Sequence, residues 1–190
     1  MTGDWDDLTA RIRACVLCKD LVASRNTVVP GEPGMFTRRL AVVGEAPGAQ
    51  EDAAGRPFVG LSGQLLDQLL ADAGLARHET AVLSAIKCRP PGNRTPRAAE
   101  VDNCRPWLAA QLDLLNPRLI VALGLTAATW FLGPRTTLAG VRGVVHEVDG
   151  RSVVATYHPS AAIRFGPNGK PLAALRDDLA LAARLLGDAL

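Results

Sequence analysis

Residues 38–63 read RRLAVVGEAPGAQEDAAGRPFVGLSG and contain the clearest strand signal of the chain. The apolar run in Arg38–Gly44 follows charged residues and stops before Gly and Pro, which predicts a short buried strand. The loop that follows, Gly44–Gly63, is dense in Gly and Pro, and leucines at helical spacing predict a helix over Gly63–Ala73. A strand, a loop and a helix in this order are typical of one unit of a parallel α/β sheet.

The same alternation continues toward the C-terminus. Three more buried strands are predicted over Thr80–Ile86, Leu119–Leu123 and Arg151–Thr156. Further helices are predicted from Arg97 to Pro117, over Thr126–Leu132 and from Pro171 onward. The pattern predicts an α/β fold, a three-layer α/β/α sandwich with a central, mainly parallel four-stranded sheet, in one domain over residues 1–190.

Composition excludes several classes of protein. The chain has 190 residues, of which 48% are hydrophobic and 21% charged, so it can build a core and is not disordered. No apolar run reaches the roughly 18 residues that span a bilayer, and the acidic start of the chain lacks the apolar region of a secretory signal. We therefore expect a cytoplasmic protein with no membrane association. The net charge of +2 excludes strong non-specific polyanion binding by the whole surface, although a local basic face is compatible with it.

Four cysteines form the first specific signal, in the positions Cys15, Cys18, Cys88 and Cys104. In a reducing cytosol such thiols bind metal more often than they form disulfides, and the C-x2-C pair suits one edge of a tetrahedral zinc site or an iron–sulfur cube. The second pair is wider than in a zinc ribbon, which favours a centre that joins two distant segments. Four unrelated buried cysteines are the alternative.

Three loops follow the predicted strands at their carboxyl ends, where ligands of parallel sheets gather. The first, Gly44–Gly63, contains Phe58, which is either a core residue or a surface on which a planar ring stacks. The second, Lys87–Arg97, is basic and is either a solvated loop or a set of phosphate contacts. The third, Tyr157–Lys170, places His158 directly after a strand, where it is either structural or catalytic.

Together these loops resemble the uracil-DNA glycosylase superfamily, most closely its family 4, the iron–sulfur type. The motifs that carry the resemblance are GEAPG at 44–48, the stretch from Glu51 to Gly63, KCRPPGNR at 87–94 and HPS at 158–160. The motifs occur in the family's order and, with the four cysteines, extend from Cys15 to the final helix.

The resemblance implies a monofunctional enzyme that hydrolyses the N-glycosidic bond of uracil or another deaminated base in DNA, as a monomer. It implies that Glu45 and His158 are catalytic. It implies a base pocket that contains Ala46, Glu51, Phe58 and Ser84, with Phe58 stacking on the extruded base and Glu51 near C5 of uracil. DNA contacts are expected from Arg89, Asn93, Arg94, Ser160 and Arg164.

The resemblance further implies that Cys15, Cys18, Cys88 and Cys104 bind a structural [4Fe–4S] cluster. Such a cluster would connect the N-terminal segment, about residues 1–37, to the rest of the domain.

One position departs from the family pattern. The family usually has Asn four residues before the third cysteine, where its amide recognises uracil, and this chain has Ser84. A single hydroxyl replaces a planar donor–acceptor pair, so the preferred base is expected to differ or uracil excision to be weak, with hypoxanthine and xanthine as candidates. The alternative is a catalytically weak or inactive DNA-binding repair accessory of the same fold.

Overall fold

The computed structural model describes residues 2–187. Within this range the α-helices α1 to α9 cover Thr2–Arg13, Lys19–Ser24, Ala49–Ala54, Leu61–Asp72, Ala98–Leu115, Leu125–Leu132, Leu138–Val141, Pro159–Phe165 and Lys170–Gly187. The strands β1 to β5 cover Leu40–Gly44, Ala81–Ser84, Leu119–Leu123, Val145–Val148 and Arg151–Thr156. Two short 3₁₀ turns lie at Arg77–Glu79 and Pro91–Asn93.

The strands form one sheet in the order β2-β1-β3-β5-β4. Strands β2, β1, β3 and β5 are parallel, with Val43 opposite both Leu83 and Ala122. Strand β4 is antiparallel to β5 at the edge. The predicted mainly parallel α/β sheet is confirmed, with one strand more than predicted.

The additional strand, Val145–Val148, has the sequence VHEV and alternates between exposed and half-buried positions. A half-exposed edge strand needs no continuous apolar run, so the criterion that identified the four buried strands does not detect it.

Alternate residues of the central strands contribute to two separate cores, as expected for a sheet covered on both faces. Val42 and Val121 pack with leucines of α4 and α9, whereas Ala41, Val43 and Ile120 pack with Leu108 and Leu112 of α5 and with Ala127 of α6. The result is the predicted three-layer arrangement, and it brings the carboxyl ends of β1, β2, β3 and β5 to one edge of the sheet.

Two helices lie inside segments that were predicted as loops. Helix α3 occupies Ala49–Ala54 in the first loop, where the Glu51 carboxylate accepts a hydrogen bond from the Gly48 amide and closes the first turn. Helix α8 begins at Pro159, directly after His158. Both helices are short, so neither produces a long apolar period in the sequence.

The N-terminal segment packs against the rest of the domain through apolar side chains and backbone hydrogen bonds. Leu8, Ile12 and Leu21 share a core with Ile86 and with two of the cysteines. Glu32 exchanges backbone hydrogen bonds of 2.9 and 2.7 Å with Val82 of β2. No helix among residues 2–187 is long and apolar enough to cross a membrane.

Candidate active site and cysteine site

A cavity of about 400 Å³ lies at the carboxyl ends of the parallel strands. The site residues predicted from the sequence that line it are Glu45, Ala46, Glu51, Phe58, Ser84, Asn93, Arg94, His158, Ser160 and Arg164. They come from the three loops that the sequence singles out and from the end of β2. The fold thus brings residues that are more than one hundred positions apart in the chain to one concave site.

Glu45 follows directly after β1 and lies at the wall of the cavity. Its Oε2 accepts a hydrogen bond of 2.5 Å from the Thr126 hydroxyl, in the first turn of α6. This hydrogen bond orients the carboxylate at the wall of the cavity. The sequence analysis did not find Thr126, because it belongs to no motif of the three loops.

The geometry around His158 defines its tautomer. The backbone N–H of Ser160 donates to Nδ1 at 3.2 Å, and the Ser160 Oγ lies 2.9 Å from the same nitrogen. A nitrogen that accepts from an amide carries no proton, so the neutral ring carries its proton on Nε2. Burial lowers the pKa of His158 to about 4, with the charge of Glu51 opposing the shift. The imidazole is therefore neutral near pH 7 and presents Nε2–H as a donor.

Phe58 lies beside this imidazole. The two ring centroids are 5.6 Å apart and the ring planes meet at 28°. Phe58 is 8% exposed and contributes both to the core and to the cavity wall, so its packing in the core is confirmed and its role as a stacking surface stays a prediction. Gly44 permits this approach, because a Cβ at that position would lie 2.6 Å from the Phe58 ring.

Glu51 lines the cavity, but its carboxylate is engaged by the backbone. Oε1 accepts from the amides of Val59 and Gly60 at 2.9 and 2.8 Å, and Oε2 accepts from Gly48 at 3.1 Å. Three amide donors hold this side chain in one orientation, so Glu51 shapes the loop that carries Phe58.

Ser84 is the last residue of β2 and is 6% exposed. Its backbone carbonyl accepts a hydrogen bond of 2.7 Å from the fully buried ammonium of Lys87. Ser84 lines the cavity and carries a single hydroxyl, in contrast to the planar donor–acceptor pair of an amide.

The basic loop is partly engaged in contacts of its own. Both terminal nitrogens of Arg94 donate to the Glu100 carboxylate, at 2.9 and 2.6 Å. Arg89 lies outside the cavity lining and donates from Nε to the Asn93 Oδ1 at 2.7 Å. Arg164 is exposed on α8 at the cavity margin, which leaves it accessible to a DNA strand.

The four cysteines line a second cavity, beneath the basic loop. Cys88 and Cys104 are buried, whereas Cys15 and Cys18 are half-buried on the N-terminal segment. Several N–H groups point at the sulfurs: Arg25 Nη1 lies 2.9 Å from Cys88 Sγ, and Trp107 Nε1 lies 3.4 Å from Cys15 Sγ. Such donors stabilise thiolates in particular.

Burial by itself opposes ionisation of the two buried thiols, those of Cys88 and Cys104. It raises the pKa of Cys104 to about 11, although the ammonium of Lys87 counteracts the shift. Burial also raises the pKa of Cys88, against the effect of Arg25. A cationic metal centre supplies the positive charge that makes thiolates favourable in such a site, so the donor set fits a metal or a cluster.

Comparison with known proteins identifies the family of this chain. A family model described as the uracil DNA glycosylase superfamily matches residues 33–180. A type-4 uracil-DNA glycosylase of Thermotoga maritima is 41% identical over 163 residues, which cover 85% of this chain and 84% of the relative. A type-4 uracil-DNA glycosylase of Pyrobaculum aerophilum is 43% identical over 169 residues, 85% of each protein.

A type-5 uracil-DNA glycosylase of Pyrobaculum aerophilum is also similar, with 37% identity over 189 residues and 83% of each protein covered. The family match extends over most of the chain and includes the three loops that line the cavity. The chain therefore belongs to the uracil-DNA glycosylase superfamily and shares extensive similarity with its type-4 members.

Proposed function

We propose that the protein is a monofunctional DNA glycosylase that hydrolyses the N-glycosidic bond of uracil or another deaminated base in DNA. The observation that carries the proposal is the convergence of Glu45, Phe58 and His158 on one cavity at the strand ends. The names of the type-4 relatives support the same activity.

The target base has to leave the DNA stack to reach this cavity, because its glycosidic bond is inaccessible within a duplex. Extrusion costs a few kcal/mol, and less for a mispaired deaminated base. Phe58 offers an apolar ring for stacking. We assign contacts with the flanking phosphates to Arg164 and Ser160 at the margin, and to Arg89, Asn93 and Arg94 on the basic loop.

As the bond between C1′ and the base nitrogen breaks, its electron pair leaves with the base, and the sugar gains positive charge. The Nε2–H of neutral His158 donates to the base O2 and stabilises the developing anion, with backbone amides around Ala46 nearby. The Glu45 carboxylate stabilises the sugar cation and orients the water whose oxygen adds to C1′. The proton that this water loses balances the proton that the departing base anion takes up, so the products are the free base and a sugar with a C1′ hydroxyl.

The same geometry supports glycosylase action without strand cleavage. No lysine of residues 2–187 lines the active-site cavity. Lys87, the first residue of the motif at 87–94, is buried and directs its ammonium at the Ser84 carbonyl. A Schiff base with the abasic sugar therefore has no amine available within the described site.

For the cysteine site we propose a structural [4Fe–4S] cluster held by Cys15, Cys18, Cys88 and Cys104. Sulfurs around one zinc ion lie about 3.8 Å apart, whereas in a cube each thiolate binds its own iron. Among residues 2–187, no three metal-binding side chains have the arrangement of a single-ion site, although all four cysteines line one cavity. The observation that supports the cluster is that all four cysteines line one cavity.

In this proposal the cluster cross-links residues 1–37 to the rest of a single domain and takes no part in bond cleavage. We further propose that the protein acts as a monomer. We also propose that the protein acts in the cytoplasm.

The decisive experiment is a base-release assay on oligonucleotides that contain uracil, hypoxanthine or xanthine, single-stranded and paired. The expected result is release of at least one base, with strand breakage only after alkali. DNA binding without release of any base would instead support an inactive repair accessory. Strand breakage without alkali would contradict the monofunctional assignment.

A further inference from the structure

Phe58 occupies a backbone conformation that a bulky residue rarely adopts. Its φ is 51°, in the left-handed region, which is costly for a side chain unless the surroundings hold it there. The residues on either side of it, Pro57 and Val59, have backbone groups that two charged side chains bind from different directions.

The carboxylate of Glu51 binds the two backbone amides that follow Phe58. The Glu51 carboxylate accepts from Val59 N and Gly60 N through a single oxygen. The other oxygen of Glu51 accepts a hydrogen bond from the Gly48 amide at the start of α3. The same carboxylate therefore connects the turn around Phe58 to helix α3.

The guanidinium of Arg77 binds the backbone carbonyls of Pro57 and Phe58. Arg77 donates from Nη2 to the Pro57 carbonyl at 2.7 Å and from Nη1 to the Phe58 carbonyl at 3.0 Å. The same guanidinium is oriented by Asp67 at 2.9 Å and by Glu32 at 3.1 Å, and only 21% of the side chain is exposed. A planar group with five donors can serve two carbonyls and two carboxylates together, which an ammonium cannot.

Four consecutive backbone groups are thus bound by two side chains: the carbonyls of residues 57 and 58 and the amides of residues 59 and 60. The backbone of Gly63 packs directly against the Phe58 carbonyl, and a Cβ at Gly63 would lie 1.8 Å from that oxygen. With these contacts in place, the turn cannot relax to a negative φ without breaking several hydrogen bonds at once.

We propose that Arg77 is a positioning residue that, together with Glu51, locks Phe58 as a preformed stacking surface for the extruded base. The stacking part of this inference rests on the proposed glycosylase function. A surface that is already ordered loses little conformational entropy when the base arrives, which favours capture of a transiently extruded nucleotide.

The simpler alternative is that Arg77 only stabilises the fold through its ion pairs with Glu32 and Asp67. The variants Arg77→Lys and Arg77→Gln separate the two roles, because lysine keeps the charge and cannot bind both carbonyls. Arg56→Gln is the matched control, since Arg56 also pairs with Glu32, at 2.6 Å, and is far more exposed.

The first measurement is amide hydrogen exchange in a peptide that covers residues 57–62, and it does not depend on catalysis. Both Arg77 variants are expected to exchange these amides about tenfold faster or more, whereas Arg56→Gln matches the parent protein. The proposal would be overturned if Arg77→Gln left the exchange rates unchanged, or if Arg77→Lys kept them at the rates of the parent protein.

The second measurement is a double-mutant cycle with Phe58→Leu, read as the single-turnover rate of base release. If Arg77 acts through Phe58, Arg77→Gln slows release about tenfold in the parent protein and little in the Phe58→Leu background. Equal losses in both backgrounds would reject the positioning role. If the parent protein releases no base, the proposed function fails, and the exchange measurement still decides whether Arg77 holds the turn.

Discussion

The hydroxyl of Thr126 lies 2.5 Å from Oε2 of Glu45, although the two residues are 81 positions apart in the chain. This contact joins the end of β1 to the first turn of α6 and fixes the carboxylate at the wall of the cavity. A hydrogen bond to a charged group contributes about 1.5–3 kcal/mol, which makes Thr126 a sensitive test of the role assigned to Glu45.

Replacing Thr126 with Val removes the donor and keeps the shape of the side chain. We expect the single-turnover rate of base release to fall about tenfold or more, with DNA affinity little changed, because the carboxylate loses its orientation. Thr126→Ser retains the hydroxyl and is the matched control. A Val variant that is as fast as the Ser variant would contradict this role.

His158 gives the pH prediction. Its folded pKa of about 4 lies below the ordinary value of 6.5, so the folded protein binds this proton less readily than the unfolded chain. Its contribution to the free energy of unfolding is complete above about pH 6.5 and is lost as the pH falls toward 4. The rate of base release should be insensitive to this group between pH 6 and 8.

The corresponding variant is His158→Ala. Loss of one donor to a developing anion typically costs about 10²–10³ in rate, and we expect a decrease of that size in single-turnover base release. DNA affinity should change much less. His146 is a control histidine, since its Nε2 contacts the Val141 carbonyl on the β4 side of the domain. A step in the rate near pH 6.5 that disappears in His158→Ala would show that the imidazole titrates normally.

Ser84 tests base preference. Ser84→Asn places a planar amide at the end of β2 and should raise uracil release about tenfold or more, since a paired amide adds donor and acceptor contacts. Release of hypoxanthine and xanthine should decrease in the same variant. Ser84→Ala shows whether the native hydroxyl contributes at all. Folded Ser84→Asn protein with unchanged or lower uracil release would reject this account of specificity.

The cysteine site predicts a brown protein with broad visible absorption. Arg25→Met removes the donor 2.9 Å from Cys88 Sγ and should speed the loss of that absorption in the presence of a chelator. Arg38→Met is the matched control, because Arg38 pairs with Glu79 at 3.5 Å and lies outside the cavity that the cysteines line. Colourless protein that contains one zinc per chain would contradict the cluster.

Much of the fold follows from local patterns. The runs before Gly44 and Gly124 are apolar because both faces of their strands are covered, so burial appears directly in the sequence. The edge strand Val145–Val148 is exposed on alternate residues and leaves no such signal. The short helix α3 depends on a contact between Glu51 and Gly48 that periodicity does not describe.

The candidate site likewise contains residues that the sequence predicts and contacts that it does not predict. Glu45, Phe58 and His158 stand out in the chain because they lie in loops of unusual composition that follow buried strands, and the order of parallel strands brings such loops to one edge. Chemical type and approximate place were therefore accessible from residue order and strand periodicity.

The hydrogen-bond partners of these residues could not be predicted from the sequence. These partners are joined to the site by hydrogen bonds whose geometry exists only after folding. They are Thr126 at Glu45, the Ser160 amide at His158, and Glu51 and Arg77 around Phe58. A hydrogen bond depends on distances of a few tenths of an ångström between segments, and sequence spacing carries no such information. The primary structure specified which groups are present and roughly where, and the packed molecule decided their protonation, orientation and rigidity.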